Sequence, residues 1–251
     1  MSGPFANDVD LARAVAREAG DALMTLRRTG GLSGAALGAQ GDRLADDLIL
    51  ARLRAARPDD FILSEESRDD PARCAASRVW VVDPLDGTSD YAAGLDDWAV
   101  HVGLSVDGAP VTGAVALPML DRVYASADPP RPLPPRPRRP RMVVSRTRCA
   151  DLVTQVAEAV DAEVVPMGSA GAKAMAVVDG RADIYLHVGG QYQWDNCAPA
   201  AVALAAGLHA SRVDGTPLTY NCEDPLLPDL LICRPEWAEA VLDAVARLRG
   251  A

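Results

Sequence analysis

Aromatic residues are scarce in this chain of 251 residues, only 4% of it. Alanine, valine and leucine must therefore fill the core. Hydrophobic residues still make up 49%, enough for a globular protein rather than a disordered one. Cysteine pairing is missing as well. The five cysteines, Cys74, Cys149, Cys197, Cys222 and Cys233, are odd in number and scattered, with no Cys-x-x-Cys. Neither a disulfide framework nor a zinc site is expected, and the chain reads as a reduced, cytoplasmic protein. The three histidines, His101, His187 and His209, lack ligand spacing and read as isolated packing or surface residues. The opening MSGPFANDVD has no basic stretch before an apolar run, so no signal peptide is expected. No run of about 20 apolar residues exists to cross a bilayer. Positive charge is in deficit, with a formal net charge of -10. That argues against a broad basic face gripping a nucleic-acid polymer, but leaves room for a small anion held by local cations. The absence of G-x-x-x-x-G-K-[ST] closes the P-loop route to phosphate chemistry, and no cysteine signature of a thiol phosphatase is present.

What is there alternates between helical and strand patterns. Leu11, Val15, Ala19, Ala22 and Leu26 recur at helical spacing and predict an amphipathic helix over residues 10–28. A second is predicted over 42–57, stopped by Pro58, with Asp42 at its head. Residues 61–63 and 79–82 read as short buried strands. Residues 98–106 and 110–117 read as paired strands around Asp107-Gly108, a hairpin turn needing positive φ at both positions. Residues 122–125 suggest a further strand. The segment 128–141, DPPRPLPPRPRRPR, is proline-rich and basic, and cannot be an interior strand or helix. It reads either as a stiff solvated connector or as a docking segment for a proline-recognising partner. Beyond it, strands are predicted at 142–145, 164–165, 182–187 and 230–233, and helices at 149–160, 172–179, 195–206 and 236–248. This grouping, without strict alternation, predicts a largely antiparallel α+β fold. The chain divides into an N-terminal α+β subdomain (1–127), the connector (128–141) and a C-terminal α/β subdomain (142–251).

The chemistry concentrates in VWVVDPLDGTSDY, residues 79–91. An apolar strand delivers Asp83, Pro84 stiffens the exit and Asp86 follows at once. Two carboxylates this close repel each other unless a cation sits between them, and hard divalent ions such as Mg²⁺ favour such oxygen ligands. The Leu85 carbonyl offers another oxygen. Gly87 permits close backbone approach and Thr88 brings a hydroxyl. If Gly87-Thr88 open a helix, their free N–H groups form an anion cradle; otherwise the hexapeptide is a capped turn. Ser64-Glu65-Glu66-Ser67 follows a buried strand in the same manner, as either a functional or a solvated acidic pair. Asp195 and Asp42 each read as a helix N-cap or as part of the same cluster.

Taken together, Gly41-Asp42, Phe61-Ile62-Leu63-Ser64-Glu65-Glu66-Ser67, Asp83-Pro84-Leu85-Asp86-Gly87-Thr88 and Trp194-Asp195 resemble the inositol monophosphatase superfamily of lithium-sensitive, metal-dependent phosphatases. The likeness spans nearly the whole chain. Trp98-Ala99-Val100-His101, Val144-Ser145-Arg146, residues 168–173 and Leu218-Thr219-Tyr220-Asn221 are most similar to its bacterial branch acting on 3′-phosphoadenosine 5′-phosphate. The resemblance implies a layered αβαβα sandwich of the inositol monophosphatase and fructose-1,6-bisphosphatase type. It implies two or three Mg²⁺ held by Glu65, Asp83, the Leu85 carbonyl, Asp86 and Asp195. Thr88 with Glu65 would orient and deprotonate the attacking water, and Asp42 would support an additional metal or its water. Gly87, Thr88, Ser145, Arg146, Gly168, Ser169, Lys173, Tyr220 and Asp195 would contact substrate. Arg146 and Lys173 would hold a second phosphate and Tyr220 would lie against adenine; otherwise they are surface ion pairs and a core tyrosine. The resemblance departs at Gly41, where threonine is frequent, and at Ser89-Asp90, where only the aromatic that follows, Tyr91, is kept. The expected activity is hydrolysis of the 3′-phosphate of 3′-phosphoadenosine 5′-phosphate to AMP, with inositol, sugar or nucleoside monophosphates as alternatives and a non-catalytic sensor as a third. A monomer or homodimer is implied, with a small phosphomonoester as partner and neither nucleic-acid polymer nor membrane.

Overall fold

A computed structural model describes residues 7–130 and 132–250. The first six residues of the opening stretch and Arg131 of the connector lie outside them. Helix α1 (Asp8–Thr29) starts where the Asn7 side chain accepts the Asp10 N–H at 2.8 Å, and buries Leu11, Val15, Ala19 and Leu23. Helix α2 runs Gly34–Ala56, so it begins well before the predicted start at residue 42. Gly38 and Gly41 weaken a helix intrinsically, which hid its first turns. Here they are the price of a close approach: a Cβ on Gly38 would stand 2.9 Å from Thr88 Cγ2, and one on Gly41 3.0 Å from Leu85 Cδ2. Asp42 therefore sits inside α2, against the Asp83–Thr88 turn, and caps nothing.

The first sheet takes β1 (Phe61–Ser64), β2 (Arg78–Asp86), β3 (Ala99–Val106), β4 (Ala109–Leu117) and β5 (Arg122–Ala125), in sequence order across the sheet. β1 pairs parallel with β2 and the remaining pairs are antiparallel. The β3–β4 turn has positive φ at both Asp107 (49°) and Gly108 (81°), as its sequence requires. The short helix α3 (Thr88–Ala92) follows β2. The second sheet takes β6 (Arg141–Ser145), β7 (Glu163–Met167), β8 (Ile184–Tyr192), β9 (His209–Ser211) and β10 (Leu226–Cys233), in the order β7-β6-β8-β10-β9. The short edge strand β9 had no sequence signal, since three residues show no periodicity. Helix α4 (Asp151–Ala159) and helix α7 (Pro235–Arg249) cover its outer face, while α5 (Ala170–Val178) and α6 (Gln193–Ala205) lie between the sheets.

The result is a five-layer αβαβα sandwich of α1 and α2, first sheet, α5 and α6, second sheet, α4 and α7. One buried cluster joins Val79, Val81 and Val115 of the first sheet to Val143, Tyr185 and Ile232 of the second through Met175, Ala198 and Val202. The proline-rich segment is not freely solvated along its length. Arg234 donates to the Pro134 carbonyl at 2.9 Å, the Arg136 guanidinium lies 4.1 Å over the Trp237 ring, and Leu133 packs on the shared core. Among the described residues no helix is long and apolar enough to cross a membrane.

Candidate active site

β2 pairs with β3 through Asp83 opposite His101, then slips register before Asp86 meets Ala99. Pro84 cannot donate to a ladder, so the strand bulges there and re-aims its carboxylates. Asp83 Oδ1 accepts the Leu85 N–H at 3.0 Å. Gly87 turns the chain into α3 with φ at 88°, where a Cβ would stand 2.9 Å from the Asp97 carbonyl oxygen. Glycine alone suits both demands. Thr88 Oγ1 lies 2.9 Å from the Leu85 carbonyl oxygen and 3.0 Å from Asp42 Oδ1, so its single hydroxyl proton serves one of them at a time.

Asp86 is the most enclosed of the carboxylates in its bonding. Its Oδ2 accepts from Ser169 Oγ at 2.5 Å and from the Gly171 N–H at 2.6 Å, and its Oδ1 accepts from the Ala170 N–H at 3.0 Å. These donors belong to the start of α5, so the carboxylate sits on that helix's positive end. Behind it the buried His101 places Nε2 3.1 Å from Asp86 Oδ2, with Nδ1 3.1 Å from the Trp194 carbonyl. Burial alone would push the Asp86 carboxyl up, but His101, Lys173 and Ser169 hold it far below the ordinary carboxylate range. Burial likewise opposes charge on His101, yet Asp86 holds its pKa up. The two face each other as a buried carboxylate and imidazole.

The remaining carboxyls are driven the other way. Asp83 is buried, and burial followed by repulsion from Glu65, Asp86 and Asp195 raises it well above its usual value. Asp195, three residues into α6, accepts the Tyr192 N–H on Oδ2 at 2.6 Å, and is pushed up to about 6 by burial and then by Asp86. Glu65 stands at the open side of the pocket, pushed up to about 7 by desolvation of its carboxyl and by Asp195, Glu66, Asp86 and Asp42. Asp42 rises to about 6, with burial the larger cause and the Thr88 hydrogen bond opposing it. The loop bearing Glu65 is pinned by Asp46 of α2, which accepts from Ser64 Oγ at 2.5 Å and from Ser67 Oγ at 2.7 Å.

Repelling carboxyls held together by the fold are what a divalent cation relieves. Asp83, Asp86 and Asp195 each offer an oxygen, and these atoms lie within 4.8 Å of one another. The donor set is all oxygen, which suits a hard cation such as Mg²⁺. Asp86 keeps a lone pair on Oδ1 beyond its protein partners, so the residues present fit a metal.

A cavity of about 300 Å³ collects Glu65, Asp83, Leu85, Asp86, Gly87, Thr88, Ser145, Arg146, Gly168, Ser169, Lys173 and Asp195 along its walls. Asp42 reaches it through Thr88. Tyr220 does not reach it: the ring is 2% exposed, its N–H donates to the Gly108 carbonyl at 2.9 Å, and its hydroxyl donates to Asn196 Oδ1 at 2.7 Å. It is a core tyrosine, fixed by the hairpin between β3 and β4. Lys173 lines the pocket but is buried, its ammonium donating to the Gly168 carbonyl at 3.0 Å and to that of Ser169. Arg146 donates to Asp90 at 2.5 Å and also to Asp97. Sequence reasoning overlooked His101 as a partner of Asp86, since the partner arrives from another strand. It also passed over His187, Gln191 and Arg148, which share the cavity. Asp46 had one available signal, its place a helical turn beyond Asp42 on the same face.

The chain matches the inositol monophosphatase family over residues 7–129 and 139–248. It is 48% identical to the 3′-phosphoadenosine 5′-phosphate phosphatase of Mycobacterium leprae, over 95% of this chain and 93% of the relative. It is 32% identical to the 3′(2′),5′-bisphosphate nucleotidase CysQ of Escherichia coli, over 74% of this chain and 80% of the relative. Among solved structures, CysQ of Bacteroides thetaiotaomicron superimposes with a TM-score of 0.78 at 24% identity, over 92% of this chain and 98% of that one.

Proposed function

The chain belongs to the inositol monophosphatase family, and from that membership we propose that its pocket removes the 3′-phosphate of 3′-phosphoadenosine 5′-phosphate, yielding AMP and phosphate, with two or three Mg²⁺ as cofactor. One observation carries the substrate choice: the same cavity is lined by the carboxylates Glu65, Asp83, Asp86 and Asp195 and by the cations Arg146, Arg148 and Lys173. A monophosphate needs the metal-holding carboxylates alone. A bisphosphate uses both. The relatives, a 3′-phosphoadenosine 5′-phosphate phosphatase and a 3′(2′),5′-bisphosphate nucleotidase, support the same substrate.

Glu65, Asp83, the Leu85 carbonyl, Asp86 and Asp195 would hold the metal, which supplies Lewis-acid polarisation of the phosphoryl group and of the attacking water when bound. Thr88 and Glu65 orient that water, and Glu65 takes its proton as general base. Asp42 fixes the Thr88 hydroxyl. Gly87 and Thr88 offer backbone N–H groups to the scissile phosphate.

Phosphate release in Mg²⁺, compared across 3′-phosphoadenosine 5′-phosphate, inositol 1-phosphate and a sugar phosphate, tests the proposal. The bisphosphate is expected to lead in kcat/KM by about 10-fold or more, the worth of one charge-assisted contact. Equal or better rates on inositol phosphate would transfer the function to that substrate.

A further inference from the structure

The cations on the basic side of the pocket are not equivalent. Arg146 spends its guanidinium on Asp90 and Asp97, two carboxylates that outweigh its single charge. Lys173 is 4% exposed and its ammonium is committed to the Gly168 and Ser169 carbonyls, where it braces the turn that donates to Asp86. Both are therefore occupied in holding the pocket's shape. Arg148 is different. Its backbone N–H donates to Ser145 Oγ at 3.1 Å, a local turn at the end of β6 that brings residue 148 to the pocket wall. Its guanidinium has no carboxylate or carbonyl partner among the described residues. The residue lines the pocket together with Lys173, His187 and Asp195.

We propose that Arg148, rather than Arg146, receives the second phosphate of a bisphosphorylated substrate and so sets the preference for bisphosphates over monophosphates. The inference rests on the bisphosphate reading above. An arginine fork can take two phosphate oxygens at once, and an unpaired one loses no existing ion pair in doing so. With the scissile phosphate at the carboxylates, the second phosphate meets Arg148 within the same cavity. Arg146 acts one step back, tying Asp90 and Asp97 to the same wall.

The test is the ratio of kcat/KM for 3′-phosphoadenosine 5′-phosphate to that for 3′-AMP, which keeps the scissile group and lacks the second phosphate. Arg148→Ala is expected to lower this ratio by about 10- to 100-fold, chiefly through KM for the bisphosphate. Arg148→Lys should recover part of it, since charge returns without the planar fork. Arg146→Ala should depress both substrates alike and leave the ratio near wild type. A high wild-type ratio that survives Arg148→Ala, or that collapses only in Arg146→Ala, overturns the role of Arg148 while leaving the bisphosphate substrate in place. A wild-type ratio near one overturns the bisphosphate substrate itself, and this role with it.

Discussion

Asp86→Asn is expected to reduce turnover by about 10²-fold or more, even though the side chain keeps its size. The charge is one part of that loss, because Asp86 supplies an oxygen to the cluster with Asp83 and Asp195. The hydrogen bonds are the other. Asp86 accepts from Ser169 Oγ and from the N–H groups of Ala170 and Gly171. An asparagine has one oxygen and an NH₂ group, so at least one of these donors would face another donor. The Asp86 charge facing His101 Nε2 is lost as well, and with it the partner that holds the imidazole's pKa up against burial. The defect should therefore appear as a higher Mg²⁺ requirement together with a lower melting temperature. Raising Mg²⁺ is expected to restore only part of the rate. Phosphate release against Mg²⁺ concentration, with thermal melting by circular dichroism alongside, reads both. Wild-type turnover with an unchanged metal requirement would contradict the place given to Asp86.

Glu65→Gln removes the proposed base while preserving the side chain's reach, and kcat is expected to fall by about 10²- to 10⁴-fold. The pH profile distinguishes this loss from simple damage. Glu65 is raised from the ordinary glutamate range to about 7 by desolvation and by Asp195, Glu66, Asp86 and Asp42. It accepts a proton only when ionised, so the wild-type rate should climb with pH on its acid limb. Bound cations favour the ionised form, so that limb should move to lower pH as Mg²⁺ increases. In Glu65→Gln the limb should flatten. The same shifts set a stability trend for the metal-free protein. Glu65, Asp195 and Asp42 have folded pKa values above their unfolded ones. The stability they contribute is present below the unfolded values and is lost as pH rises through about 6 to 7. Metal-free protein should melt at a lower temperature at about pH 8 than at about pH 5, and Mg²⁺ should narrow the gap. A pH profile in Glu65→Gln that matches wild type would remove Glu65 from the proton transfer.

Much of the fold was legible because its strands are short apolar runs ended by turn residues. Val79 to Val82 announces β2, and Asp107-Gly108 announces the hairpin after β3. The acidic wall of the pocket was legible for a related reason: Asp83 and Asp86 sit at the end of a buried strand, where two close carboxylates point to a cation between them. The start of α2 was not legible, because Gly38 and Gly41 look like breaks until Thr88 and Leu85 are seen packed against them. The basic wall was half legible. Arg146 and Lys173 were found as cations, but a sequence does not reveal that Asp90, Asp97 and two carbonyls already hold them. His101 was hidden likewise, since its meaning depends on Asp86, which the strand bulge brings alongside. Tyr220 shows the reverse error: an aromatic read as a base platform serves instead as a hydrogen-bonded core residue.

If these carboxylates act through bound metal, removing the metal should abolish turnover. Phosphate release from 3′-phosphoadenosine 5′-phosphate would be followed on protein held in excess chelator and again as Mg²⁺ is titrated back. The clustered oxygens of Asp83, Asp86 and Asp195 predict no turnover in chelator and a saturable return with Mg²⁺ that Asp86→Asn shifts to higher concentration. Undiminished turnover in excess chelator would contradict the account.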